Sequence, residues 1–231
     1  MYGIIGALDE EVETLIAALE HKKEEKIGPY LMTSGVLEGK EVVICKSGVG
    51  KVAAGCCAVV MIDHYQVKAI INTGAAGGLV PGMKVGDTIF CTEAIQHDVD
   101  VTVFNYQLGQ LPGRPGPVYK ADPALIEKAR AAAKKAGLQK PYEGLILSGD
   151  QFISSDEKIA FFKEKFPGCV AVEMEGAAIA QTAQDFNVPF LVIRAVSDCA
   201  DNDGAISNDE FSKLASVKSA ALVRALLTEL D

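Results

Sequence analysis

Hydrophobic and polar positions along this chain follow two periods in turn. Short apolar runs, closed by Gly or polar residues, recur between longer stretches whose apolar residues stand three and four apart. That pattern predicts strands alternating with helices. Tyr2–Gly6 reads as a buried strand. Asp9 to about His21 reads as a helix, with Val12, Leu15, Ile16 and Leu19 on one face and Asp9, Glu10 and Glu11 in its first turn. Leu31–Leu37 and Glu41–Lys46 read as strands around the turn Glu38-Gly39-Lys40. Lys51–His64 reads as a small-residue helix, and Ala69–Thr73 as an apolar strand entering a Gly/Ala turn. Gly86–Ala94, Gly144–Ser148, Cys169–Val172 and Pro189–Ala195 read as strands, and Ala121–Ala136 as a helix. Ser154-Ser155-Asp156-Glu157 and Ser207-Asn208-Asp209-Glu210 fit capping boxes that start helices at about 156–165 and 208–229. Residues 98–119 carry Gly and Pro with little periodicity, a long loop of a kind that is often functional. The alternation predicts an α/β fold, a central sheet with helices on both faces. No linker, charge block or internal repeat divides the chain, so residues 1–231 are expected to form one domain.

Composition narrows the functional classes. Hydrophobic residues make up 49% of the chain, enough for a substantial core. A net charge of −9 and a pI near 4.9 argue against a nucleic-acid partner, which would call for a basic patch. The six Cys residues, Cys45, Cys56, Cys57, Cys91, Cys169 and Cys199, form no C-x-x-C pair, and the three His are scattered, so no zinc site is expected. Reduced thiols in a cytoplasmic protein are the expectation. The N-terminus opens on a strand without a signal-peptide pattern, and no apolar run reaches membrane-spanning length.

The chemistry concentrates in two segments. Val172-Glu173-Met174-Glu175-Gly176 places carboxylates at the mouth of a helix, and Val192-Ile193-Arg194-Ala195-Val196-Ser197-Asp198 places Arg, Ser and Asp where an apolar strand ends. Glu173 and Glu175 share a face if the chain is extended there. A carboxylate accepts two hydroxyl hydrogen bonds, which suits vicinal sugar hydroxyls. Asp198, with Val196, Cys199 and Ala200 near it in sequence, becomes a proton donor if burial raises its pKa. The plain alternative is a helix that begins with Glu for its dipole beside a surface Arg–Asp pair. Gly74-Ala75-Ala76-Gly77-Gly78 lets backbone approach a ligand closely, but Pro81-Gly82 follows it where a dinucleotide fingerprint needs a helix. Ser47-Gly48-Val49-Gly50-Lys51-Val52 fails as a P-loop, because Cys45 takes the first Gly position and Val52 replaces Ser/Thr.

These segments, with Gly3-Ile4-Ile5-Gly6-Ala7-Leu8-Asp9-Glu10-Glu11-Val12, Lys46–Ala54, Ile71–Gly78, His97-Asp98-Val99-Asp100-Val101-Thr102, Gly109–Gly113 and Ser148-Gly149-Asp150-Gln151-Phe152-Ile153, carry an ordered resemblance over nearly the whole chain. The chain resembles the nucleoside phosphorylase and nucleosidase superfamily and, more narrowly, the bacterial 5′-methylthioadenosine/S-adenosylhomocysteine nucleosidases. The resemblance implies a three-layer α/β/α sandwich with a twisted mixed sheet. It implies hydrolysis of the N-glycosidic bond, giving adenine and the 5′-thio-substituted ribose, without metal or organic cofactor. Asp198 would donate a proton to adenine N7, with Ser197 orienting it, and Glu11 would activate water. Glu175 would bind the ribose hydroxyls, helped by the Met174 backbone, Arg194 and the neighbouring Glu173. Phe152 would stack on the base, the Ile153 backbone would bond its edge, and Ala75 and Gly77 would lie against the ligand. Leu8, Val49, Met174, Val101, Phe104, Tyr106 and Pro112 would form the apolar pocket for the 5′ group. The loop from Val101 to Pro112 would complete the neighbouring site of a homodimer, with Lys51–His64 at the interface. His97 and Asp98 read as structural.

Within that superfamily, a phosphorylase must hold phosphate with Arg or other strong donors. The first loop here carries Asp9-Glu10-Glu11 and no Arg, which favours water as the nucleophile. Ala75 stands where some relatives carry Ser, and Asn208 where some carry Phe. The rival readings are a nucleosidase of the same fold acting on futalosine-type nucleosides, a phosphorylase, and a non-catalytic nucleoside-binding protein.

Overall fold

The computed structural model describes residues 1–138, 140–199 and 209–231. Ala200, Ser207 and Asn208, and with them the start of the second capping box, lie outside the described residues. In chain order the elements are β1 (Tyr2–Gly6), α1 (Asp9–Ala17), β2 (Glu20–Ile27), β3 (Tyr30–Leu37), β4 (Lys40–Lys46), α2 (Lys51–Tyr65), β5 (Ile70–Gly78) and β6 (Thr88–Gln96). A 3-10 turn at Thr102–Phe104 follows, then β7 (Tyr119–Lys120), α3 (Pro123–Lys135), β8 (Tyr142–Ser148), α4 (Asp156–Lys165), β9 (Cys169–Glu173), α5 (Gly176–Asp185), β10 (Phe190–Cys199) and α6 (Asp209–Glu229).

All described strands belong to one mixed sheet. From β5 it runs outward through β1, β4, β3 and β2. On its other side the sheet closes on itself: β5 pairs β10, β10 pairs β6, β6 pairs β8, β8 pairs β9, and β9 returns to β5. Strands buried on both faces need continuous apolar sequence, and β1, β9 and the first half of β10 have it. Two groups of helices pack on this sheet, α2 with α5 and α6 with α1 and α3. The main core follows the sheet. A second apolar cluster gathers Ile159, Phe162 and Phe166 of α4 under Leu145, Leu147 and Val172, with Ile153 packed against it.

Three local expectations are corrected. The first helix ends at Ala17 and not near His21, because Glu20–Ile27 is an edge strand, exposed along nearly its whole length and charged on both faces. Such a strand lacks the alternation by which strands are read, while its charges block edge-to-edge association. Gly74–Gly78 is not a turn but the continuation of β5, lying between β10 and, at its end, β9. Glycine occurs inside a strand where other groups approach closely: a Cβ on Gly78 would lie 2.9 Å from Met83 Sδ. Helix α4 is capped by Ser155, whose Oγ accepts from the Lys158 backbone N at 3.2 Å, one residue later than the capping box placed it.

Phe162 is fully buried at the centre of the second cluster. Phe162→Ala is expected to cost about 3–5 kcal/mol, read as a lower urea midpoint at unchanged slope.

Candidate active site

The ends of β1, β5, β9 and β10 surround a cleft of about 320 Å³, within the usual range for small-molecule sites. Each strand delivers one part of the lining. After β1, the chain passes Ala7 and Leu8 into α1, and Glu11 folds back over that turn. Its Oε2 accepts from the backbone N of Ala7 at 2.6 Å and of Leu8 at 3.2 Å, and its Oε1 from Ala75 N at 3.0 Å. The position depends on Gly74, where a Cβ would run into Glu11 Oε1. Burial pushes the Glu11 carboxyl up from its ordinary range, and the charge of Arg194 and the three amides only partly oppose this. A carboxyl so shifted is better matched to taking a proton near neutral pH. Asp9 points away and pairs with Lys46 at 2.8 Å, whereas Glu10 joins the lining.

On β10 the register against β5 shifts between Val196 and Asp198. A bulge of this kind re-aims side chains and is common beside active sites. It sets Asp198 opposite Gly77, where a Cβ would lie 3.2 Å from Asp198 Oδ2. Ser197 Oγ donates to Asp198 Oδ1 at 2.7 Å, and among the described residues no hydrogen bond reaches Oδ2. The carboxyl is half-buried, with Val196 fully buried beside it.

Glu173 and Glu175 do not share an extended face, because β9 stops at Glu173 and α5 begins at Gly176. Glu173 is spent on structure. It accepts from Ser148 Oγ and Arg194 Nη2, from Glu175 N at 3.2 Å and from Gly176 N at 2.8 Å, so it caps α5. Its carboxylate borders the cleft with its acceptor positions filled. Arg194 stands behind the lining at 1% exposure, also donating to Asn72 Oδ1 at 2.7 Å. Burial works against its charge, but Glu173, Glu11 and Glu175 outweigh burial and hold its pKa up. Its Nη1 has no hydrogen-bond partner and, like Glu11 Oε1, approaches Gly74.

Glu175 is the carboxylate with acceptor capacity to spare. Its Oε1 accepts from Gly50 N at 2.8 Å, while Oε2 lies 3.8 Å from Arg194 Nη2. Burial, then the charge of Glu173, push its carboxyl up to about 7, against the pull of Arg194.

Apolar groups frame these acids. Leu8, Val49 and Phe152 are exposed at the cleft, Phe152 at 65%, so Phe152 is not a core residue. Met174, Ile153, Ala75 and Gly77 also line it. Val101, Phe104, Tyr106 and Pro112 do not: their loop leaves the cleft, and Phe104 is 70% exposed. Sequence reasoning missed Gln151 and Ser212 as lining residues. Gln151 lies inside a recognised motif, whereas nothing in the pattern marks Ser212, in the first turns of α6. Among the described residues no cation lines the cleft, and no group of three His, Cys, Asp or Glu side chains is arranged for a metal ion.

The raised Glu175 carboxyl has a consequence for stability. The fold favours its neutral form, so its contribution is full below the ordinary value of 4.5 and is lost as pH rises through about 7. Glu175→Gln keeps the size and removes that loss. Its stability relative to the parent protein is expected to rise by about 3 kcal/mol between pH 4.5 and 8, measured by urea unfolding at each pH.

Comparisons with known proteins place the whole chain in a family. Residues 1–228 match the family model of the phosphorylase superfamily. The 5′-methylthioadenosine/S-adenosylhomocysteine nucleosidase of Actinobacillus succinogenes is 44% identical over 229 residues, covering 99% of each chain. The crystal structure of the Neisseria meningitidis nucleosidase of that name, in complex with methylthio-immucillin-A, superimposes with a TM-score of 0.95 at 43% identity, covering 99% of each chain. Futalosine hydrolase of Helicobacter pylori superimposes with a TM-score of 0.93 at 32% identity, over 99% of this chain and 97% of that one. This chain therefore belongs to the phosphorylase superfamily and, within it, to the family of 5′-methylthioadenosine/S-adenosylhomocysteine nucleosidases, which are N-glycosyl hydrolases.

Proposed function

We propose that this protein hydrolyses the N-glycosidic bond of 5′-methylthioadenosine and S-adenosylhomocysteine, with Asp198 as acid, Glu11 as the group that activates water and Glu175 as the ribose ligand. The observation that carries the reading is the lining itself: three separately held carboxyl groups in one apolar-framed cleft, with no cation among the described lining residues. A phosphate nucleophile would meet several carboxyl groups there and no described side-chain cation, whereas water is oriented by carboxylates.

The roles follow from the chemistry of the bond. Adenine leaves as a neutral base once N7 is protonated, and the ribosyl group becomes oxocarbenium-like, as in glycoside cleavage by paired carboxyl groups. Asp198 Oδ2 gives that proton, because Ser197 already occupies Oδ1. Glu175 Oε2 accepts from the ribose hydroxyls, and the carboxyl oxygens of Glu11 and Glu175 lie where positive charge develops on the sugar. Water adds to the anomeric carbon as the carbon–nitrogen bond breaks, and Glu11 takes its proton. Arg194 holds Glu173 and keeps a free Nη1 near Glu11, so it supports the acids from behind. The apolar groups Leu8, Val49 and Met174 suit a thioether at the 5′ position.

The proposed active form is a homodimer. Val52 on the outer side of α2 is 77% exposed, and Val103 and Phe104 at the loop tip are 82% and 70% exposed. Apolar side chains left exposed on a helix and at a loop tip suit a second copy, whose loop would cover the open 5′ end of the cleft. A cytoplasmic location goes with this reading.

Adenine release from methylthioadenosine is expected in phosphate-free buffer, with methylthioribose as co-product. Asp198→Asn should lower kcat by about 10²–10⁴-fold at unchanged Tm; full activity in that variant rules out the acid assignment. Release only with phosphate would make the protein a phosphorylase. Turnover of futalosine alone would move the substrate, and adenine binding without turnover of either would make it a binding protein. Phe104→Asp is expected to shift the sedimentation coefficient from dimer to monomer and to raise KM for methylthioadenosine about tenfold or more.

A further inference from the structure

Behind the cleft, one polar cluster closes on itself. Helix α2 begins at Lys51 after Gly50, which has φ 97° and no side chain with which to cap the helix. The cap comes from another element: the Lys51 backbone N donates to Asp150 Oδ1 at 2.8 Å. The Asp150 backbone N donates to Asp98 Oδ2 at 3.0 Å, and Lys51 Nζ returns to Asp98 Oδ1 at 2.6 Å. Gln96 Oε1 accepts from the same Nζ at 3.1 Å. The start of α2 and the segments after β6 and β8 are thus joined in a ring. The Lys51 and Asp98 side chains retain 17% and 13% of their exposure, so this ion pair is far less screened than those on the surface. Burial opposes the Asp98 charge, but Lys51 and the Asp150 amide outweigh it and hold the carboxyl below its usual range.

Both ends of the ring reach the cleft. The residue before Lys51 is Gly50, whose amide donates to Glu175 Oε1 at 2.8 Å. The residues after Asp150 are Gln151, Phe152 and Ile153, which line the cleft. Close approach of the parts depends on glycine: a Cβ on Gly50 would lie 2.9 Å from Asp150 Oδ1, and one on Gly149 would lie 3.1 Å from Asp98 Cγ and collide with the His97 ring.

We propose that Asp98 is a positioning residue that holds two walls of the cleft in register, Glu175 through Lys51 and Gly50, and the Gln151–Ile153 segment through Asp150. The assignment of those walls to sugar and base rests on the nucleosidase reading; the ring itself does not. An aspartate is required because two donors converge on it. Asn offers one acceptor oxygen, so its NH₂ would face either Lys51 Nζ or the Asp150 amide, donor to donor. Loosening a cleft wall costs binding and orientation steeply. Asp198 and Glu11 are held by other contacts, so the effect falls on ligand binding.

The test compares Asp98→Asn, Lys51→Met and Lys51→Arg. Asp98→Asn and Lys51→Met are expected to raise KM for methylthioadenosine and weaken adenine binding, each about tenfold, with kcat down less than about threefold; Lys51→Arg, which keeps the cation, should stay within about threefold of the parent protein. Unchanged KM and adenine affinity in Asp98→Asn, or a lowered Tm alone, would overturn the proposal. Should Asp98→Asn fail to fold, Lys51→Met decides on the same readouts. If the parent protein neither cleaves methylthioadenosine nor binds adenine, the nucleosidase reading fails. The ring is then judged by amide hydrogen exchange in the free protein. Faster exchange at Gly50, Lys51 and residues 150–153 in Asp98→Asn supports it, and unchanged exchange refutes it.

Discussion

One guanidinium organises the acid side of this molecule. Arg194 is among the largest fully buried side chains, and its pairing with Glu173 is the ion pair most completely withdrawn from water among those described. Burying two charges is costly, and the attraction repays it only if further hydrogen bonds fill the remaining positions. They do so on the carboxylate: Ser148, Glu175 and Gly176 all donate to Glu173. The Glu173 carboxylate therefore fixes the point where α5 starts, where a negative charge is favoured. Glu175 sits at that point, so its place in the cleft follows from a neighbour that is itself buried. Removing Arg194 would leave Glu173 buried without its counter-charge, a loss of about 3–5 kcal/mol, and would leave Glu11 and Glu175 to repel each other unopposed.

The sheet's closure supplies the other half of the geometry. Left open along the path β5, β10, β6, β8 and β9, the sheet would hold β9 away from β5 with three strands between them. Closing the ring from β5 through β10, β6, β8 and β9 brings Glu175, Asp198 and Phe152 around one opening. The glycine-rich half of β5 makes this possible. Side chains at Gly74 and Gly77 would occupy the space that Glu11 and Asp198 take. The bulge on β10 falls between the partners of Ala76 and Gly77, so backbone irregularity on one strand meets a missing side chain on the next.

What could be read from sequence follows from these physical facts. The buried strands β1, β9 and β10 and the helix α4 announce themselves because burial imposes an apolar run and a helix start imposes a cap. Glu11, Glu175, Asp198 and Phe152 were legible through motif resemblance, and the structure brings them to one cleft, while the roles assigned to them await the experiments above. Strand β2 was illegible, since a charged edge strand buries almost nothing and so carries no period. Ring closure was illegible because periodicity reports a strand's faces, not its neighbours. The Lys51–Asp98–Asp150 ring was illegible for a third reason: its members stand 47, 52 and 99 residues apart, and each alone is an ordinary polar residue in a loop or at a helix start.

The division of labour inside the cleft bears on selectivity. The buried set of Arg194, Glu173, Glu175 and Glu11 is fixed by contacts that precede any ligand; in the proposed reading it addresses the sugar hydroxyls and the anomeric carbon, and Asp198 addresses a basic ring nitrogen, features that every purine ribonucleoside shares. Nothing in that set distinguishes one 5′ substituent from another. The groups placed to do so, Leu8 and Val49, are exposed apolar side chains on short connections, and in the proposed dimer they are completed by a loop from the second copy. A thioether gains from such a rim by burial alone, about 0.8 kcal/mol for each buried CH₂, whereas a charged 5′ group would have to be desolvated against it. In the proposed dimer, preference at the 5′ position is thus tied to assembly. A chain that kept its inner acids but altered its loop tip would still cleave nucleosides and would choose among them differently, which is how relatives of one fold can differ in substrate while sharing the same buried core.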